Sequence, residues 1–175
     1  MFFTKRLYIA LGAVVCVFVF AFVYPWLYLV GLLAFWLLVL LVMTDILLLF
    51  ANKNGIITKR QAAHQKLSNG DENDLFISIQ NNYSFGVHAE IIDEIPEQFQ
   101  FRKFNIKKQL ESGEGQKIKY TLRPVSRGEF HFGDTIVLVS TVFGLAKRKF
   151  VFDTKQMLPS YPSFLKLRQY ELIAI

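Results

Sequence analysis

Apolar positions fall along this chain in two rhythms, and the change comes near Asn54. From Leu7 to Tyr24 no side chain is charged, and from Trp26 to Phe50 only Asp45 is. Runs of roughly 17–25 such residues are long enough to cross a ~30 Å hydrocarbon layer as helices. Between the runs stands Tyr24-Pro25. Proline lacks an amide hydrogen and disfavours helical backbone in the residue before it, so a helix boundary is expected there. The pattern predicts a transmembrane helical hairpin over residues 1–54, with helices at about 7–24 and 26–50.

Past Asn54 the period becomes two. Leu75, Ile77 and Ile79 alternate with Phe76, Ser78 and Gln80, and Gln116, Ile118, Tyr120 and Leu122 alternate with Lys117, Lys119, Thr121 and Arg123. Each set has the period of a strand, and the second has one buried and one wet face. Further strands are expected at Ile56–Leu67, Gly86–Asp93, Phe99–Phe104, Glu129–Phe132, Thr135–Thr141 and Ala146–Phe152. Turn residues separate them, as at Ser68-Asn69-Gly70-Asp71, Asn81-Asn82-Tyr83-Ser84, Ser112-Gly113-Glu114-Gly115, Ser126-Arg127-Gly128 and Phe143-Gly144. Seven or eight short strands without helical periodicity between them predict an immunoglobulin-like β-sandwich over residues 55–156. The fold class expected is thus membrane-anchored all-β. In residues 157–175, Pro159 and Pro162 are expected to break any regular element. Phe164–Ile173 then has the spacing of a helix, read as the start of a further domain beyond Ile175.

Composition and charge refine this picture. The chain is 53% hydrophobic, far above an ordinary soluble domain, with the excess in the first fifty residues. Lys5 and Arg6 precede the first run, and Lys53, Lys59 and Arg60 follow the second. Tyr24, Trp26 and Tyr28 cluster at the break, where an interfacial aromatic belt would sit. Basic residues at both ends place both termini and the β-domain on the cytoplasmic side of the membrane, as a multi-pass protein. A cleavable signal peptide is the rival, but Val19-Phe20-Ala21 is a poor cleavage site. Asp45 lies near the cytoplasmic end of its helix and is read as structural or helix-pairing, because the first run offers no polar partner for an ion path. The basic excess, 20 Lys and Arg against 14 Asp and Glu, is scattered, and no aromatic–basic signature of a nucleic-acid module accompanies it. A single cysteine, Cys16, excludes an internal disulfide framework and a cysteine-based zinc site.

Only one constellation invites chemistry. Glu129 and His131 share a strand face, and Asp134 follows just past Gly133, so the three could in principle hold a divalent metal. Phe130 and Phe132 look like the core-facing pair, which puts Glu129 and His131 in water. His64 and His88 are isolated. Gly113-x-Gly115 is a loop, and neither phosphate-binding glycine motif is present. Asp93-Glu94 and Glu97 around Pro96 could do acid–base work as paired carboxylates but read as a hairpin rim. The residues therefore yield no catalytic, cofactor or metal site and no small-molecule substrate.

Five stretches taken in order carry a family resemblance: LSNGDENDLFISIQNN (Leu67–Asn82), DEIPEQFQFR (Asp93–Arg102), YTLRPVSRGEFHFGD (Tyr120–Asp134), VSTVFGLAKRK (Val139–Lys149) and YPSFLKLRQYEL (Tyr161–Leu172). With the hairpin before them, they resemble the N-terminal half of the bacterial "domain of unknown function 58" family. In that family a von Willebrand factor A-type domain with a metal-binding loop follows, and no residue here corresponds to that loop. The resemblance implies the bacterial inner membrane as the location, a partner of the MoxR AAA+ ATPase type and a role in assembly or maturation of membrane or envelope complexes. The expected function is a membrane-anchored, non-enzymatic scaffold or interaction module. The alternatives are a metal-dependent enzyme using Glu129, His131 and Asp134, and an exported envelope sensor or binding domain.

Overall fold

The computed structural model describes residues 1–100 and 104–162. A two-residue strand, β1 (Phe2–Phe3), leads into α1 (Lys5–Ala21) and α2 (Leu27–Ala51). The turn between the helices falls at Tyr24-Pro25, where Leu27 N donates to Tyr24 O at 2.9 Å and Tyr28 N to Pro25 O at 3.1 Å. The helices approach where Gly31 has no side chain. The Phe18 ring occupies that space, and a Cβ on residue 31 would stand 3.1 Å from Phe18 Cε1.

Ten further strands follow among the described residues: β2 (Ile56–Ala62), β3 (Leu67–Asn69), β4 (Asn73–Asn81), β5 (Val87–Asp93), β6 (Asn105–Leu110), β7 (Gly115–Leu122), β8 (Gly128–Phe132), β9 (Thr135–Ser140), β10 (Ala146–Phe152) and β11 (Gln156–Pro162). They form three sheets, ordered β1-β10-β9-β5-β6, β2-β4-β7 and β3-β11-β8. Every neighbouring pair is antiparallel except β3 with β11. One hydrophobic core unites them. Leu75, Ile77 and Ile79 of β4 meet Val87, Ala89 and Ile91 of β5, Val137 and Val139 of β9, Phe130 and Phe132 of β8, and Leu158 of β11. Each large side chain buried this way contributes about 1.5–3 kcal/mol relative to exposure. The fold is a β-sandwich preceded by a helix pair.

Three local expectations change. The expected strand Ile56–Leu67 ends at Ala62, and Leu67 begins β3 in a different sheet. Of the strand expected at Phe99–Phe104, residues 101–103 lie outside the described residues, and Phe99 itself is not in a strand. Glu97–Phe99 make a single 3-10 turn after Pro96, Gln100 takes a left-handed φ of 57°, and β6 begins at Asn105. Phe99 is spent on the core instead, 4.7 Å from the Phe130 ring. β6 was hidden because it is an edge strand whose Lys107-Lys108 blunts any alternation, a common device against edge pairing. Finally, Pro159 and Pro162 do not break the chain, since both lie in β11, which pairs with β8 from Gln156 to Ser160 and with β3 from Ser160 to Pro162. Pro159 stands one residue before β3 begins to pair, where the ladder has one neighbour and a missing amide hydrogen is tolerated. The helix expected at Phe164–Ile173 lies outside the described residues.

Candidate functional site

The end of α2 is built into the sandwich. Leu49 is fully buried and belongs to the sandwich core. Its carbonyl accepts from Tyr83 Oη at 2.7 Å and from Arg148 Nη1 at 2.6 Å, and Asn52 O accepts from Arg148 Nη1 at 2.8 Å. A helix C-terminus leaves such carbonyls without partners, and a cation there also suits the negative end of the helix dipole. The guanidinium lies over the Phe50 and Phe150 rings at 4.7 and 4.4 Å. Burial, set against the nearby Arg148, raises the Tyr83 hydroxyl above the ordinary phenol value.

One turn earlier Asp45 is also fully buried. Its Oδ1 accepts from Thr141 Oγ1, and its Oδ2 accepts from Leu145 N at 2.9 Å and Ala146 N at 2.8 Å. No ion pair accompanies it among the described residues. The start of the chain converges on the same turn. Thr4 N donates to Leu145 O at 3.0 Å, Thr4 Oγ1 to Gly144 O at 2.5 Å, and β1 extends the sheet beside β10. The β9–β10 turn, from Thr141 to Ala146, is therefore a clamp that holds both open ends of the helix hairpin. Asp45 has a structural role, as the sequence suggests, but its partner is this turn rather than α1. A lone carboxylate in an apolar helix demands donors, yet nothing local says that they lie about a hundred residues away.

A second polar cluster sits at the opposite end of β9. Arg60 Nη1 and Asp93 Oδ1 are 2.6 Å apart, and their side chains are 1% and 0% exposed. Asp93 also accepts from Thr135 Oγ1 at 2.9 Å and from Tyr120 Oη at 2.6 Å. Arg60 Nη2 donates to Gly133 O at 2.9 Å and Thr154 O at 2.5 Å, and the guanidinium covers the Phe132 ring at 4.9 Å. Five strands, β2, β5, β7, β8 and β9, and the segment after β10 meet in this cluster. Arg60 is thus no free interfacial cation, and Asp93 is not on a solvated hairpin rim. Glu94 faces away from it and accepts from Asp134 N at 3.0 Å. Asp93 holds only structural donors, and its side chain is sealed from solvent.

Burial, then the charge of Asp93 and its hydrogen bond, push the Tyr120 hydroxyl far above the ordinary phenol value. The sign follows directly. Above pH ~10 the unfolded phenol releases its proton while the folded one keeps it, so the native state binds more protons and stability falls as pH rises. This contribution is fully present below pH ~10. Urea midpoints measured from pH 8 to 11 are expected to fall more steeply for the unmodified chain than for Tyr120→Phe. At pH 8 the variant is expected to be about 1.5–3 kcal/mol less stable for the lost hydrogen bond to a charged acceptor. Parallel pH profiles would show that Tyr120 is not held this way.

The sequence's metal candidates do not converge. Glu129 and His131 share the outer face of β8, with His131 Nε2 3.7 Å from Glu129 Oε2 and side chains 62% and 72% exposed. Phe130 and Phe132 face the core, each 2% exposed. Asp134 lies in the β8–β9 turn and faces Lys155, with Oδ1 3.8 Å from Nζ. Among the described residues, no group of three His, Cys, Asp or Glu side chains is placed to hold a metal. His64 and His88 are exposed and apart, and Cys16 is exposed on α1.

No family model matches the chain, and no curated protein matches it. Solved structures do. The ASH/PapD-like domain 7 of human CEP192 is similar over 60% of this chain and 87% of that chain, with 15% identity and a TM-score of 0.43. The CARDB domain of the PF1109 protein from Pyrococcus furiosus, solved in complex with di-metal ions, is similar over 61% of this chain and 87% of that chain, with 10% identity and a TM-score of 0.43.

Proposed function

We propose that this chain is a membrane-anchored, non-enzymatic interaction module, an immunoglobulin-like sandwich held at the cytoplasmic face of a bacterial inner membrane by its helix pair. The observation that carries the reading is the clamp at Asp45 and Leu49, which joins an otherwise solvent-facing apolar hairpin to the sandwich. Outside the clamp the hairpin exposes large apolar side chains, among them Ile9, Val19, Phe22, Leu29, Leu33 and Leu40. A contiguous apolar surface of that size marks a membrane or partner contact. Among the described residues one helix, Leu27–Ala51, is long and apolar enough to cross a membrane by length and composition. The lengths also match in pairs. α1 has 17 residues, at the short end of the spanning range. The part of α2 outside the clamp, Leu27 to Thr44, has about 18 residues, or ~27 Å of helix.

The non-enzymatic reading is supported by the use made of the buried carboxylates, since Asp45 and Asp93 each hold structural donors. The partner proposed is an AAA+ ATPase of the MoxR type, in assembly or maturation of membrane or envelope complexes. Its support is the resemblance of Leu67–Asn82, Asp93–Arg102, Tyr120–Asp134, Val139–Lys149 and Tyr161–Leu172 to the domain of unknown function 58 family. A reporter fused after Phe152 tests the topology: activity in the cytoplasm is expected, and activity only outside the inner membrane would overturn it. Co-purification of the full chain from detergent extracts with such an ATPase tests the partner, and repeated recovery of none would overturn that part alone.

A further inference from the structure

The outer face of the five-stranded sheet ends in a basic groove beside the clamp. The register sets Gln109 and Ser140 on either side of His88, and Lys107 and Leu138 on either side of Glu90, to form the floor. The wall is the chain's own start, Phe2 to Arg6, held against β10 by the β1 ladder and the Thr4 hydrogen bonds. Five cationic residues line the groove, Lys5, Arg6, Lys107, Lys108 and Lys147, with one carboxylate, Glu90; Lys107 shares the face of its register partner Glu90, and Lys108 borders the groove from the other face, opposite Ala89. That carboxylate is already engaged. Lys147 Nζ is 2.7 Å from Glu90 Oε2 and Asn105 Nδ2 is 2.6 Å from Oε1, and these two contacts hold its carboxyl below the usual range. The other four cations make no ion pair among the described residues. Like charges gathered in a concavity repel one another and focus potential on an anion.

Position decides which anion. Lys5 and Arg6 are the first residues of α1, so the groove opens where the apolar helix begins. Phe2 and Phe3 stand at its lip, half-exposed, as interfacial aromatics do. We infer that the groove binds the phosphate of an anionic phospholipid headgroup, drawn from the leaflet in which the helix pair is anchored. The inference rests on the membrane reading above. Arginine offers the phosphate a two-pronged contact and the lysines offer point charges. Headgroup binding would fix the sandwich's orientation on the membrane, because the groove and the clamp share the β9–β10 turn.

The test uses the full chain reconstituted into phosphatidylcholine vesicles, with labelled phosphatidylglycerol and labelled phosphatidylcholine compared as ligands. The variants are Lys107→Gln/Lys108→Gln, on the exposed edge strand, and Lys117→Gln/Lys119→Gln, which removes the same charge from β7 in another sheet. The unmodified chain is expected to prefer phosphatidylglycerol by roughly tenfold or more, at roughly fivefold per engaged basic residue. The groove variant should lose most of that preference and the β7 variant should keep it. Insertion without a headgroup preference, or equal loss in the two variants, overturns the groove and leaves the membrane reading standing. Displacement of the lipid by inorganic phosphate at matched concentration makes the ligand a free anion and overturns the lipid assignment. Failure to insert into phosphatidylcholine overturns the membrane reading and the groove with it.

Discussion

Asp45→Ala is expected to detach α2 from the sandwich and to cost about 3–5 kcal/mol, because three buried donors lose their acceptor at once. The substitution strands the Thr141 hydroxyl and the Leu145 and Ala146 amides, which all point at the carboxylate. Each buried donor left without an acceptor costs about 1–3 kcal/mol, and relaxation of the turn recovers part of the sum. For a chain of this size that corresponds to roughly a 10 °C fall in Tm, read in detergent. Asp45→Asn should fall between, because its oxygen still accepts while its amide group faces a donor. Thr141→Val removes one donor with its acceptor still served by two amides, and about 1 kcal/mol is expected. Limited proteolysis adds a local readout, since the loosened seam should expose the segment between Ala51 and Ile56 before the sandwich itself unfolds. Unchanged Tm and unchanged cleavage in Asp45→Ala would mean that the clamp is held by Leu49 and Arg148 alone.

The second large effect is at Arg60 and Asp93. Asp93→Ala or Arg60→Ala leaves an unpaired charge in a dry site, and each is expected to cost about 3–5 kcal/mol. The double replacement Arg60→Met/Asp93→Leu should recover much of that loss, because hydrophobic groups of similar volume in place of a buried ion pair are often neutral or stabilising. Recovery is limited here. Asp93 also serves Tyr120 and Thr135, and Arg60 also serves Gly133 and Thr154, so the double variant leaves those groups without partners. Urea midpoints for the two single variants and the double variant close a cycle. Additive losses would show that the two charges do not act as a pair across the core.

The two polar clusters also explain where sequence reading stopped. Arg60 follows the second apolar run and was counted with Lys53 and Lys59 as an interfacial cation, although it points inward from β2 beneath Ile56 and Thr58 on the same face. Asp93 ends a strand next to Glu94 and Pro96, the composition of a surface turn, and its pairing with a residue 33 positions earlier leaves no local mark. Pro159 looked like a breaker because its neighbours β3 and β8 are remote in sequence. β6 was absent from the expected strands because an edge strand has no need of a regular apolar face.

What the sequence determined by itself was the period of each segment and the face it would bury. The apolar runs ending at Tyr24 and Phe50 specified two helices with a break at Pro25, and the alternations at Leu75–Ile79, Ile118–Leu122 and Phe130–Phe132 specified strands with the correct residues inward. Periodicity carries that information because backbone geometry repeats every 3.6 or 2 residues. The tertiary structure alone decided the partners: Asp45 with the β9–β10 turn, Leu49 within the sandwich core, Arg60 with Asp93, and Lys5 and Arg6 beside Lys107 and Lys108. Those contacts join residues from about 33 to about 100 positions apart. No local spacing encodes them, because burial requires only that each polar group find some partner, and the sheet topology chooses which one.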